Sequence, residues 1–68
     1  MKSDIIFYKL RFDIVGTDGA TTSYDGKSRY NDIEAARSAA TRARQSLFEK
    51  YFNGEIRDYK VDVIPDNE

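Results

Sequence analysis

The sequence predicts an α+β domain: a three-stranded antiparallel sheet, with topology ββαβ and strand order 2-1-3, that carries one long helix on one face. Two segments in which apolar and polar residues alternate predict strands, and a long run without Gly or Pro predicts the helix. A turn rich in Gly joins the first two strands. The 68 residues are expected to form a single domain, because a chain of this length has room for only one core.

The first strand is predicted over residues 5–15, where the chain alternates regularly. The face expected to be buried carries Ile6, Tyr8, Leu10, Phe12 and Ile14. The opposite face carries Lys9, Arg11 and Asp13. A period of two is typical of a strand with one buried face. This strand is the most apolar of the three, which favours the central position in the sheet.

The turn after the first strand is compatible with two hairpin registers. A two-residue turn at Asp18-Gly19 would place Asp25 opposite Phe12 and bury a charge. A three-residue loop ending in a left-handed Gly19 would place Tyr24 there instead. Because a slip of one residue turns every side chain to the other face, the core pattern favours the three-residue loop.

The other two strands are predicted over residues 21–30 and 55–64. In the third strand, apolar residues alternate with charged ones, and Pro65 is expected to end it, leaving residues 65–68 as a frayed tail. Gly26 interrupts the second strand and suggests a bulge or a close approach of the helix. The sheet face away from the helix is expected to be uncovered.

The helix is predicted over residues 32–52. Asn31 is a favourable N-cap, and Glu34 stands three residues later, as in a capping box. Asn53-Gly54 supplies the stop. At about 100° per residue, one stripe faces the sheet. Its members are Ile33, Ala36, Ala40, Ala43, Leu47 and Tyr51.

The residue inventory argues against catalysis. The chain contains no Cys and no His, so it lacks the commonest general base, the best nucleophile and the usual zinc ligands. The segment Gly16–Gly19 is not a phosphate-binding loop, because no Lys-Ser or Lys-Thr pair follows it. The sequence therefore predicts a protein that is not an enzyme, with no cofactor and no metal.

Charge and hydropathy bear on partners and location. The formal net charge is −1, which argues against a dedicated duplex-DNA binder but leaves a local basic patch open. The sequence has no run of about 20 apolar residues, so no membrane partner is expected. The absence of Cys fits a reducing compartment, and a cytoplasmic protein is the expectation.

Two surfaces carry candidate partner-binding residues. A second helix stripe combines Arg with aromatic side chains, which are enriched at protein interfaces, and the open sheet face combines Phe7 with basic residues. The residues predicted to contact a protein partner are Phe7, Lys9, Arg11, Arg29, Arg37, Arg44, Phe48 and Phe52. The plainer alternatives are solvated arginines on the helix and cross-strand ion pairs on the sheet.

Two other functions stay open. A nucleic-acid-binding domain would use the sheet cations Lys9, Arg11, Lys27 and Arg29, with Phe7 as a stacking platform. The second is a homodimer, because small chains often gain stability by association. In that alternative the Ala35 and Ala39 side of the helix packs against another helix.

The step from Tyr30 through Asn31-Asp32-Ile33-Glu34-Ala35-Ala36, from a strand into an Ala-rich helix, belongs to a hairpin–helix–strand order. That order resembles small phage-encoded proteins that bind and inhibit a host protein, the type that includes RNA polymerase inhibitors and anti-CRISPR proteins. The resemblance covers most of the chain as topology. It implies binding to a host protein in the host cytoplasm and assigns no residue a role.

Overall fold

The computed structural model describes residues 6–66 and contains four regular elements. They are β1 (Tyr8–Gly16), β2 (Thr21–Asp25), α1 (Ile33–Phe52) and β3 (Ile56–Pro65). β2 and β3 both pair antiparallel with β1, so the strand order is β2-β1-β3. The predicted α+β fold, with its strand order and single helix, is confirmed.

The hairpin adopts the three-residue loop. Phe12 lies opposite Tyr24 and Ile14 opposite Thr22. The Gly16 N–H donates to the Ala20 carbonyl at 2.8 Å, which closes the loop. Gly19 has a φ of 88°, a conformation that costs little only for glycine.

The core lies between α1 and the β1–β3 side of the sheet. Its buried cluster consists of Leu10, Ala40, Leu47 and Val61, and Ala36 is also buried. Alanine at the contact lets the helix axis approach the strands closely. Within residues 6–66, α1 packs against β3 and β1 and does not reach β2. The helix therefore covers only part of its sheet face.

Three large residues predicted to face the core are largely exposed: Ile6, Tyr51 and Tyr24, of which Tyr24 lies on β2, which α1 does not reach. Ile6 is 47% exposed because it precedes the first residue of β1 and lies outside the ladder. Tyr51 is 46% exposed because it lies in the last turn of α1, where its ring meets Tyr59 and the half-exposed Phe48 and no residue of the buried cluster. The buried layer is therefore shorter than the sequence periodicity predicts.

The first two strands are shorter than predicted. β1 begins at Tyr8, residue 5 lies outside the described residues, and β1 extends through Gly16. β2 ends at Asp25 instead of residue 30. The Gly26 N–H still donates to the Leu10 carbonyl at 2.8 Å, after which the chain bends away from the ladder. It returns at Tyr30, which exchanges two hydrogen bonds with Tyr8, at 2.7 and 2.9 Å.

Gly26 marks the point where β2 departs from the sheet. A Cβ at this position would lie 3.3 Å from the Phe12 ring and 3.7 Å from the Leu10 side chain. A larger residue here would have to push the Phe12 ring aside by a few tenths of an ångström. The neighbour is a strand side chain of β1 and not the helix.

The third strand begins at Ile56 instead of residue 55, and it includes Pro65 instead of ending before it. Pro65 lies opposite Tyr8, and Asp66 then donates its N–H to the Phe7 carbonyl at 2.7 Å. Backbone groups alternate in direction along a strand, so the position of Pro65 directs its nitrogen away from β1. Pro65 therefore removes no hydrogen bond between β3 and β1.

The N-cap of α1 is Asp32 and not Asn31, so the helix begins at Ile33. Asp32 has extended backbone angles, and its carboxylate accepts the Glu34 N–H at 3.1 Å. A carboxylate is favoured over an amide at this end, because the helix dipole is positive there.

Replacing Asp32 with Ala is expected to lower the free energy of unfolding by about 1 kcal/mol, since one orphaned helix N–H loses its acceptor. Asn31→Ala is the matched control and is expected to change it by less than about 0.5 kcal/mol. Urea denaturation followed by circular dichroism measures both. A larger loss for Asn31→Ala than for Asp32→Ala would contradict the cap assignment.

Candidate functional site

Three of the four predicted sheet cations lie in ion pairs, and Lys27 has none within residues 6–66. Lys9 Nζ is 3.0 Å from Asp25 Oδ2 and 3.9 Å from Asp66 Oδ1. Arg11 Nη1 is 3.9 Å from Asp25 Oδ1. Lys60 also pairs with Asp62, on β3. This face matches the plainer alternative of cross-strand ion pairing, which leaves its net potential small.

Phe7 is covered by a cation. The Arg29 guanidinium lies 4.4 Å from the centre of the Phe7 ring, and its Nε is 2.9 Å from Asp66 Oδ2. Asp66, predicted to lie in a frayed tail, thus fixes this end of the sheet. Residues 67–68 of that tail lie outside the described residues. Stacking of a base on Phe7 would first have to displace Arg29.

The two helix arginines have different surroundings. Arg37 Nη1 is 3.7 Å from Glu34 Oε2, one turn earlier, and both side chains are well exposed. Arg44 Nη2 donates to the Val61 carbonyl at 2.9 Å in a partly buried position. Arg44 therefore ties α1 to the outer edge of β3.

An aromatic cluster occupies the C-terminal end of α1. The Phe48 ring centre lies 6.3 Å from that of Tyr51 and 6.2 Å from that of Phe52. Tyr51 meets Tyr59 of β3 edge to face at 6.0 Å. These four residues form what we call the aromatic patch. Phe48 is 50% exposed and Phe52 79% exposed, so two phenylalanine rings face solvent side by side.

A shallow groove of about 560 Å³ runs beside the patch, between α1 and β3. We call it the helix–β3 groove. It is lined by Thr41, Arg44, Gln45, Phe48, Glu49 and Tyr59. Its surface is mainly apolar, and the polar groups lie along the helix. The groove could receive one or two apolar side chains of another protein.

The structure places the eight predicted contact residues on two surfaces. Phe48 and Phe52 belong to the aromatic patch, and Arg44 lines the groove beside it. Arg37 lies seven residues before Arg44, about two turns of the helix further toward its N-terminus. The sheet residues Phe7, Lys9, Arg11 and Arg29 lie on the opposite side of the molecule in ion or cation–π pairs.

Sequence reasoning assigned Tyr51 to the core and named Tyr59 as no contact residue, and so missed half of the patch. Both follow the core periodicity, but they meet at the open end of the helix–sheet layer. One sequence signal was available. Phe48, Tyr51 and Phe52 follow i, i+3, i+4 spacing, which brings the three side chains together on a helix.

Within residues 6–66, no group of three or more acidic, His or Cys side chains is arranged to hold a metal ion. The described helix, α1, is not long and apolar enough to cross a membrane.

Comparisons with protein-family models, curated proteins and solved structures found no match.

Proposed function

We propose that this chain is a small non-catalytic protein-binding module and that the aromatic patch with the helix–β3 groove is its contact surface. The observation that carries the proposal is the joint exposure of Phe48, Tyr51 and Phe52 on one end of one helix. Large aromatic side chains facing water together are unusual on a monomer and are enriched at interface hot spots.

The patch is held on a rigid support. Phe48 and Tyr51 flank Leu47, which is buried in the core and fixes the rotation of α1 on the sheet. Tyr59 packs from β3 against the same end. A preorganised surface loses less conformational entropy when it binds, so more of the free energy gained by burying these rings contributes to affinity.

A partner is expected to bind the groove by side-chain packing and not by adding a strand to β3. The Val61 carbonyl at the outer edge of β3 accepts from Arg44, and the Tyr59 N–H donates to the Asp58 carboxylate at 2.8 Å. Side chains thus occupy two of the backbone groups that a new strand would need.

The sheet residues are a weaker contact surface. A partner binding Lys9, Arg11 or Arg29 would have to compete with Asp25 and Asp66, which already pair with them. The same pairing reduces the charge available to a nucleic acid, whose binding depends on unpaired cations. The helix side is therefore the surface on which the proposal rests.

The topology supports a finer proposal about the partner. The small phage-encoded inhibitors that this chain resembles act by covering a surface of a host protein, and the aromatic patch is suited to that action. We infer that the partner is a host cytoplasmic protein with an exposed apolar pocket, and that binding inhibits it by occlusion.

The double variant Phe48→Ser/Phe52→Ser is expected to lose binding at least tenfold while remaining folded, because both rings are half or more exposed. The immobilised chain would be used to retain a protein from host lysate, and the purified protein would then be titrated by calorimetry. Ile6→Ser, which removes an equally exposed apolar side chain remote from the patch, is the control.

The expected result is one stoichiometric partner retained by the unmodified chain and by Ile6→Ser but lost from the double variant. Circular dichroism would verify that all three chains are folded. Equal affinity of the double variant and the unmodified chain would overturn the assignment of the patch, and retention of no protein from any tested lysate would count against the function.

A further inference from the structure

The two free edges of the sheet differ. In β3, side chains satisfy the outward-facing Val61 carbonyl and Tyr59 N–H. In β2, all five residues are exposed, and α1 does not reach the strand. Within residues 6–66, no hydrogen bond satisfies the backbone groups that β2 directs away from β1. An edge without such protection is a template for pairing with another strand.

The register shows which groups of β2 are available. Gly16 bonds to Ala20 and Gly26 bonds to Leu10, so the even-numbered positions of β1 bond toward β2. Because backbone direction alternates, Thr22 and Tyr24 face β1, and Thr21, Ser23 and Asp25 direct their N–H and carbonyl groups outward. The free edge thus offers three donor–acceptor pairs centred on Ser23.

We propose that β2 is a self-association edge, at which two copies of this chain pair antiparallel about a two-fold axis through Ser23. The two sheets then form one six-stranded sheet with both helices on the same face. In this register Ser23 lies opposite Ser23 of the second copy, and Thr21 lies opposite Asp25 of the second copy. All five residues of β2 are paired, whereas a shift of two residues, the smallest that keeps outward-facing residues opposite each other, leaves two of them unpaired.

The charges are compatible with this pairing. The two Asp25 carboxylates lie four residues apart along the strands, roughly 13 Å, so like charges do not oppose each other. The net charge of −1 per chain adds little repulsion between copies. Self-pairing is the arrangement for which the chain itself supplies a complete register.

Opposite charges meet at both ends of the paired strands. Lys27 lies one residue past Gly26, where the chain leaves the ladder, so its long side chain and not its backbone reaches toward the Asp18-Gly19 turn of the other copy. Lys27 and Asp18 are exposed, and neither has an ion pair within the described part of the chain. The symmetry produces this contact twice, so two new ion pairs accompany the backbone hydrogen bonds.

The uncovered helix-side face of β2 also gains a neighbour. Phe12 and Tyr24 stack with ring centres 5.0 Å apart, and Tyr24 is 47% exposed because α1 does not cover it. In the pair, Tyr24 lies opposite Thr22 of the second copy. The two ring stacks then form the floor of a trough between the helices.

The test is the Ser23→Pro variant. The backbone nitrogen of residue 23 points away from β1, so a proline there removes no hydrogen bond of the monomer. In the dimer, it removes the N–H donor at the two-fold axis from both copies. Ser23→Ala is the matched control, because it loses the same hydroxyl, which donates to Asp13, and keeps the N–H. Sedimentation velocity would be run from about 10 μM to about 1 mM.

The unmodified chain and Ser23→Ala are expected to shift from monomer toward dimer mass across that range, and Ser23→Pro to remain monomeric. Lys27→Glu, which places like charges together at both ends, is expected to weaken dimerisation several-fold. A monomer at all concentrations for the unmodified chain, or unchanged dimerisation of folded Ser23→Pro, would overturn the proposal.

Hydrogen exchange of the unmodified chain provides a readout that needs no variant. The Ser23 and Asp25 amides are expected to become protected as concentration rises, whereas the outward Val63 amide on β3 is not. Protection that appears on β3 alone, or only when an unrelated extended peptide is added, would overturn self-pairing through β2.

Discussion

Leu47→Ala is expected to leave most molecules unfolded at room temperature. Leu47 is one of three large side chains, with Leu10 and Val61, that are buried among the described residues. Removing it costs about 2–5 kcal/mol through lost burial and the cavity left behind. A core of this size rarely supplies more than about 3–5 kcal/mol of net stability, so little or none would remain.

Urea denaturation followed by circular dichroism measures this effect. Leu47→Met keeps the volume of the side chain and is expected to cost less than about 1.5 kcal/mol. Phe52→Ala removes a larger but exposed ring from the same helix and is expected to change the free energy of unfolding by less than about 0.5 kcal/mol. An unfolding midpoint for Leu47→Ala equal to that of the unmodified chain would show that α1 does not rest on the sheet as described.

The strand pairing could be predicted because burial on one face makes register a strict constraint. The two-residue turn would have placed Asp25 opposite Phe12 and Lys27 opposite Leu10, and these two conflicts favoured the three-residue loop that the structure shows. The central place of β1 followed in the same way from its apolar face. Periodicity therefore determined which residues share a face and which strands are neighbours.

The lateral position of the helix could not be predicted, because periodicity gives the rotation of a helix and not where it lies across a sheet. α1 packs over β3 and β1, which leaves β2 and the Phe12–Tyr24 stack uncovered. The free edge of β2 results from this displacement. The exposure of Tyr51 has a different origin, since it lies in the last turn of α1.

The ion pairs of Asp66 were missed for a related reason. Composition near a terminus, with Pro65 followed by polar residues, is typical of a tail. The pairs of Asp66 with Lys9 and Arg29 form only once β3 runs antiparallel to β1 and brings residue 66 beside residue 7. Local sequence contains no sign of a contact between the two ends of the chain.

Ala40→Leu is expected to lower the free energy of unfolding by about 1–3 kcal/mol, although it adds apolar surface and keeps helix propensity. Ala40 is fully buried and touches the cluster of Leu10, Leu47 and Val61, so a larger side chain must force α1 away from the sheet. Loss of the close contact would also separate Arg44 from the Val61 carbonyl, which lies 2.9 Å away.

Ala35→Leu is the matched control, because it makes the same substitution at an exposed position of the same helix. It is expected to leave the free energy of unfolding within about 0.5 kcal/mol of the unmodified chain. Thermal and urea unfolding compare the two variants. If Ala35→Leu were the more destabilising, its side of α1 would have to be buried in solution, which would favour a helix-to-helix dimer over pairing through β2. Greater loss from Ala40→Leu would instead agree with alanine serving the close approach of helix and sheet.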